Sequence, residues 1–284
     1  LPEVPDQPKP GMPRTRRRAF LGTAGALAAA ASLPLAPGEA HASARLAPGA
    51  RTARQDVRAA RRDALAEWTL DTMKGLAVFV VPGPDPYSRA QGTPRPEPGG
   101  IEAGLPAFLV DMLDRYLPFP DLPAGGLADA LLPLLGPAGA GLFESDAVIP
   151  LSPVVALLLN AEAVRADPRS LTGPFLTPFA RLPYRGKAKV FEMIEGPDPA
   201  LVEVVDAQLP EPLKRTASGL LRYLGGALLE LSALGGYSEW AVFDPGTRRL
   251  RARPVGWQVT GYQYAEAGRP EFRGYYQGRR STTG

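Results

Sequence analysis

Residues 151–166 read Leu151-Ser152-Pro153-Val154-Val155-Ala156-Leu157-Leu158-Leu159-Asn160-Ala161-Glu162-Ala163-Val164-Arg165-Ala166. The run is rich in Leu and Ala and opens with Ser then Pro. Serine is a favoured helix cap and proline is tolerated in the first helical turn, so the stretch predicts an apolar helix. The chain on either side has the same character. Upstream, Ile101, Leu105, Phe108, Leu109, Met112, Leu113 and Tyr116 recur at the spacing of one apolar stripe, which predicts a helix over 101–117 with Pro106 in its first turn. Further upstream, Val57, Leu65, Trp68, Met73 and Leu76 alternate with charged residues over 55–81, until Val81-Pro82-Gly83-Pro84 stops the pattern. Apolar residues 124–136 suggest another helix. Downstream, Phe175, Phe179 and Leu182 lead into helices over 185–195, 199–208 and 211–234, the last closing at Gly235-Gly236. The expected fold is therefore mainly α: an irregular helical domain with long Pro/Gly-rich loops.

Two regions break this pattern. Residues 82–100 contain six prolines and four glycines and predict a long irregular loop. Past Gly236, Asp244-Pro245-Gly246 lies between Ala241-Val242-Phe243 and the alternating Leu250-Arg251-Ala252-Arg253, which predicts a small β-hairpin. The rest reads as an extended arm rich in aromatics and arginine. Residues 245–284 hold eight arginines against Glu266 and Glu271, a net charge of +6, and leave −5 on residues 43–244.

Composition excludes much chemistry. The 284 residues carry a formal charge of +3, no cysteine and one histidine, His41. Residues 1–42 contribute five basic and three acidic groups, so the remainder is nearly neutral and offers no general field for nucleic acid. Without Cys, and with His41 ahead of the expected domain, thiolate-held clusters, histidine-held zinc and Ser-His or Cys-His nucleophiles have no donors there. No residue set for a cofactor or a metal is apparent.

The N-terminal part reads as a targeting segment. Arg16-Arg17-Arg18-Ala19-Phe20-Leu21 precedes a mildly apolar Ala/Leu run, then Pro34, Pro37 and Ala40-His41-Ala42. The basic region, the short apolar region and the Ala-x-Ala end at Ala40 and Ala42 are the three parts of an export signal. Arg17 and Arg18 followed by Phe20 and Leu21 resemble the twin-arginine signal, which moves folded cargo; an ordinary secretory signal with an extra arginine is the alternative. The expected organisation is residues 1–11 upstream of a start at Met12, a signal over 12–42, a flexible tether over 43–54, a helical domain over 55–236, and a hairpin with C-terminal docking arm over 237–284.

The order of these features resembles the family named for gluconate 2-dehydrogenase subunit 3. The matching pieces are the signal, Val80-Val81-Pro82-Gly83, Pro98-Gly99-Gly100-Ile101-Glu102-Ala103-Gly104, Phe179-Ala180-Arg181-Leu182-Pro183, Gly235-Gly236, Gly256-Trp257 and Thr260-Gly261-Tyr262. A longer insertion, Tyr237 to Val255, and the tail beyond Tyr262 depart from the family pattern. The resemblance implies a noncatalytic small subunit, without its own cofactor, that escorts, assembles or stabilises a large FAD-dependent dehydrogenase of the glucose–methanol–choline type. It further implies FAD in that partner, a cytochrome c as electron acceptor, passage through the twin-arginine translocase, and a periplasmic or extracytoplasmic location.

The residues expected to meet a partner are Trp257, Tyr262, Tyr264, Arg273, Tyr275 and Tyr276, since aromatics and arginine dominate the energetic centres of interfaces. The other reading of the same residues is a tail folded back on its own domain. A stand-alone exported binding or scaffold protein is the second functional reading. A carboxylate-dependent hydrolase is the third, with Asp111 and Asp114, or Glu192 and Glu195, each sharing a helix face. Leu134 to Gly141 reads as a turn. Lys187 and Lys189 beside Arg185 read as a small basic surface patch.

Overall fold

The computed structural model describes residues 48–116, 150–197, 199–209, 211 and 215–264. Within them the chain is mainly helical, with one two-stranded antiparallel sheet. The targeting segment, residues 124–136, Leu134 to Gly141, and Arg273, Tyr275 and Tyr276 lie outside the described residues.

Helix α1 (Pro48–Val80) is the axis of the fold, and its second half buries Trp68, Met73, Leu76, Ala77 and Val78. It begins at Pro48, so residues 48–54, expected as a flexible tether, are helical. The reason is propensity: Ala50, Arg51, Ala53 and Arg54 are strong helix formers, Pro48 suits a first turn, and a helix anchored downstream extends cheaply upstream.

The expected irregular loop is also more ordered than its composition suggests, because it contains helix α2 (Pro86–Gln91). Asp85 caps it, accepting from Ser88 N at 2.9 Å and from Ser88 Oγ at 2.6 Å, and Gly92 closes it at φ 88°. The rest of the loop is held by backbone. Gly100 N donates to Val81 O at 2.7 Å and Arg95 N to Gly83 O at 3.1 Å. A Cβ on Gly99 would sit 2.5 Å from Gly83 N, so two chain segments meet where neither can carry a side chain.

Helix α3 (Leu105–Asp111) starts later than predicted, after turns over 101–104, and keeps Pro106 in its first turn. It passes into a π-helical turn, Met112–Tyr116. That turn aims Asp114 at the start of helix α4 (Leu151–Ala166): Asp114 accepts from Ser152 N at 2.8 Å and from Ser152 Oγ at 3.0 Å. Ser152 therefore does not cap its own helix; a carboxylate from another element does. Fourteen consecutive residues of α4, Leu151 to Val164, are buried, and this run, apolar but for Ser152, Asn160 and Glu162, places the helix at the centre of the core.

Helices α5 (Pro178–Arg181) and α6 (Tyr184–Glu195) pack beside α1 and α4, and α7 (Pro199–Gln208) follows. Helix α8 (Ala217–Tyr237) begins six residues later than predicted, after Arg215, which has φ 74°. Asp206 Oδ1 accepts from both Arg215 N and Ala217 N at 3.0 Å. Gly235 and Gly236, expected to end this helix, lie inside it. A Cβ on Gly235 would come within 2.4 Å of the Phe108 ring, and one on Gly236 within 2.6 Å of Val81, so the pair serves close packing.

The hairpin is present but short: β1 (Phe243–Asp244) pairs with β2 (Arg249–Leu250), Phe243 facing Leu250 and Asp244 facing Arg249. Beyond it, where an extended arm was expected, the chain forms helix α9 (Val255–Thr260). Gly256 makes this possible, because a Cβ there would fall 1.8 Å from Tyr237 O at the end of α8.

Candidate functional site

Two regions concentrate chemically capable side chains. The first is a buried polar network between α1, α2, α4, α5 and α6. Asp71 accepts from Tyr87 Oη at 2.6 Å and from Thr177 N and Oγ1 at 2.9 and 2.8 Å. Asn160 donates to Thr72 Oγ1 and Ala156 O and accepts from Phe179 N at 2.9 Å. Arg181 donates to the carbonyls of Phe175, Ser170, Leu171 and Leu176, and so gathers the turn before α5. The Tyr87 ring stacks on Phe175 at 4.0 Å.

Lys187 is the most unusual member. Its side chain is 0% exposed, donates from Nζ to Gly75 O at 2.9 Å and to Gln91 Oε1 at 2.7 Å, and lies 5.6 Å from the Phe179 ring centre. Lys187 is thus not part of a surface basic patch. The sequence hides this, since an isolated Lys on an amphipathic helix ordinarily reaches water. Burial drives its pKa down to about 7, against the pull of Asp85 and Asp71. Burial also raises the Tyr87 phenol far above its usual range, with its bond to Asp71 adding to the effect. Arg181 is lowered by burial, which Asp71 partly opposes.

A reactive lysine needs a path to substrate, and a general acid needs a face open to one. Here the donors and acceptors face one another. Lys187, Asp71 and Asn160 join α6 and α2 to α1, and α1 to α4 and α5. The arrangement is a clamp on helix positions, which suits a structural role.

The carboxylate pairs are placed as follows. Asp111 forms an ion pair with Arg115 at 2.9 Å, and Asp114 is engaged with Ser152. Glu192 pairs with Lys189 at 3.1 Å, and Glu195 is exposed. Among the described residues no group of three or more His, Cys, Asp or Glu could hold a metal ion, and no helix is long and apolar enough to cross a membrane.

The second region is the C-terminal face, residues 237–264. The structure brings Trp257, Tyr262 and Tyr264 into one cluster: the Trp257 ring is parallel to Tyr264 at 5.5 Å and tilted to Tyr262 at 5.1 Å. Arg253 Nη2 donates to Tyr262 O at 2.8 Å and fixes the turn after α9. Arg251 Nη2 donates to Ala241 O at 3.1 Å. The chain up to Tyr264 thus folds back on its own domain, yet Tyr262 and Tyr264 remain exposed, Tyr264 at 62%. Trp240, 58% exposed, and Tyr237 and Val259 extend the same region. Sequence reasoning missed Trp240; the signal was an aromatic three residues past Tyr237, in the stretch judged an insertion. Residues 245–264 carry Arg248, Arg249, Arg251 and Arg253 and no acidic residue.

With these geometries in hand, comparison with known proteins adds no assignment: no family model, no curated protein and no solved structure matches this chain.

Proposed function

We propose that this chain is a noncatalytic small subunit that escorts, assembles or stabilises an exported FAD-dependent sugar or alcohol dehydrogenase, docking through its C-terminal face. The observation that carries the docking is the pair of exposed rings Tyr262 and Tyr264, gathered about Trp257 in a stretch, 245–264, that holds four arginines and no acidic residue, with exposed Trp240 beyond it next to Glu239. Large aromatics exposed beside Arg match the composition of interface centres. The identity of the partner rests on the order of sequence motifs, from Arg17-Arg18 to Thr260-Gly261-Tyr262. Several of those motifs are the joints of the fold: Gly83 against Gly99, Gly235 and Gly236 against α3 and Val81, and Gly256 against Tyr237.

The FAD belongs to the partner in this reading, and electrons would leave that partner toward a cytochrome c. This chain's part is to travel with folded cargo through the twin-arginine translocase and remain attached at the extracytoplasmic side. The experiment is capture of the tagged chain from its native host, with flavin absorbance and mass spectrometry of what co-elutes. It is repeated with Arg17 and Arg18 changed to Lys. A yellow complex with a large oxidoreductase, retained in the cytoplasm by the double substitution, is expected. A colourless chain that elutes alone and is still exported overturns the reading and favours a stand-alone exported binding protein.

A further inference from the structure

Helix α8 is apolar nearly all round, with Arg222 and Glu230 its only charged residues, yet one of its faces is open to solvent. A helix of that composition is ordinarily covered on every side. The inward face is accounted for: Leu221, Leu224 and Leu228 are buried, and Gly225 admits Ile194, whose Cγ2 would lie 3.1 Å from an added Cβ. The outward face is not. Among the described residues nothing lies within 4 Å of where a Cβ on Gly219 or Gly226 would stand, so the packing described around α8 requires neither glycine. Glycine in a helix interior lowers helix stability, and close approach of another backbone is what it offers in return.

Two grooves of about 580 and 630 Å³ run along this face and share Arg222 and Gly226 in their walls. The first is bounded by Phe191 and Glu195 of α6, the second continues past Ala227 to Leu234. Arg222 donates from Nε to Glu195 O at 2.7 Å, which holds its guanidinium at the groove edge.

The charge register selects the occupant. Arg222 and Glu230 stand four residues on either side of Gly226. If a second α8 crosses antiparallel on a two-fold axis at Gly226, each Arg222 faces the other chain's Glu230, twice over. The same axis sets Gly219 opposite Ala233, and Gly226 opposite itself, so the small residues fall where the backbones are nearest. A two-fold interface must be self-complementary in this way. From the open face with its exposed Tyr223 and Leu234, the two glycines that the described packing leaves unused and the symmetric charge pair, we infer that α8 is a homodimerisation helix and that its occupant is a second copy of this chain. The inference is independent of the flavoprotein partner, which meets the C-terminal face.

The test is sedimentation of the purified full chain over a dilution series, with Arg222→Glu, Glu230→Arg, the double exchange, and Gly226→Leu. A dimer is expected for the unaltered chain. Each single reversal sets like charges opposite each other and weakens it by at least about 10-fold, while the double exchange restores it. Gly226→Leu weakens it without lowering the melting temperature at low concentration, since among the described residues of one chain the added side chain meets open space. Because Arg222→Glu also loses the bond to Glu195, Glu230→Arg carries the test if that variant melts early. A monomer throughout the series, indifference to Glu230→Arg, or single reversals that the double exchange fails to restore overturns the inference. So does a monomer whose Gly226→Leu form loses a different protein from the native host.

Discussion

The buried network and the C-terminal face use polar and aromatic side chains in opposite ways. Around Asp71, Asn160 and Lys187, hydrogen-bonding groups point inward and find partners on other helices, so their chemistry is consumed in holding α1, α4, α5 and α6 at fixed distances. At the C-terminal face, Tyr264 stacks on Trp257 with its other side in solvent, and Trp240 is presented to solvent nearby in the chain. The difference teaches that titratable groups with large shifts need not mark a reaction centre. In this fold the perturbed lysine is a strut, and the groups with ordinary surroundings are the ones available to another molecule.

Five substitutions would break or sharpen that contrast. Gly99→Ala should have the largest effect, because the new Cβ meets backbone atoms of Gly83 at 2.5 Å and neither segment can yield; a loss of about 4 kcal/mol in denaturant unfolding is expected. Asp71→Ala should follow at about 3 kcal/mol, since it leaves the buried Thr177 N–H and hydroxyl and the Tyr87 hydroxyl without their acceptor. A loss below about 1 kcal/mol would mean that water replaces the carboxylate and that the network is open after all.

Lys187 gives a smaller effect with a distinctive pH signature. Its folded pKa, about 7, lies below the unfolded value of 10.5, so between these pH values the unfolded chain binds the extra proton and stability rises with pH. The slope of unfolding free energy between pH 7 and 9 should approach about 1 kcal/mol per pH unit and disappear in Lys187→Met. Above about pH 10 the trend reverses, because Tyr87 ionises in the unfolded chain while the folded state keeps it protonated. A flat profile from pH 7 to 9 in the unaltered chain would falsify the strut. The smallest effect on stability belongs to the C-terminal face: Trp240→Ala and Tyr264→Ala should each change unfolding by under about 0.5 kcal/mol. The same substitutions should reduce capture of the proposed partner by at least about 10-fold. Large destabilisation with unchanged capture would move these aromatics into the fold and out of the interface.

The helices were legible where apolar spacing is long and uninterrupted. Residues 151–166 and 199–208 match the observed helices to the residue, and 185–195 misses by one, because packing and local preference agree there. Where a distant group does the capping, the sequence misled: at Ser152 the boundary was right but the cap is Asp114, and at the start of α8 nothing in Glu211-Pro212 announces that Asp206 will draw Arg215 into a left-handed turn. Gly235-Gly236 carried an ambiguity that only tertiary structure resolves: glycine ends helices and also lets them touch. Of the candidate interface residues, Trp257, Tyr262 and Tyr264 do gather, as their spacing around Gly261 allowed. Lys187 was misjudged because its neighbours Arg185 and Lys189 are exposed and sequence proximity suggested one shared environment.

The early half of α1 has a mechanical meaning. From Pro48 to Ala64 the helix runs 17 residues before Leu65 packs against the core, and Ala59, Ala60, Arg62 and Asp63 are exposed. At 1.5 Å per residue that is a rod of about 25 Å. Whatever grips the chain ahead of Pro48 is therefore kept at a set stand-off from the folded body and feels its rotation directly. A cord of Gly and Ser of equal length would let the two turn freely. The helix behaves as a handle.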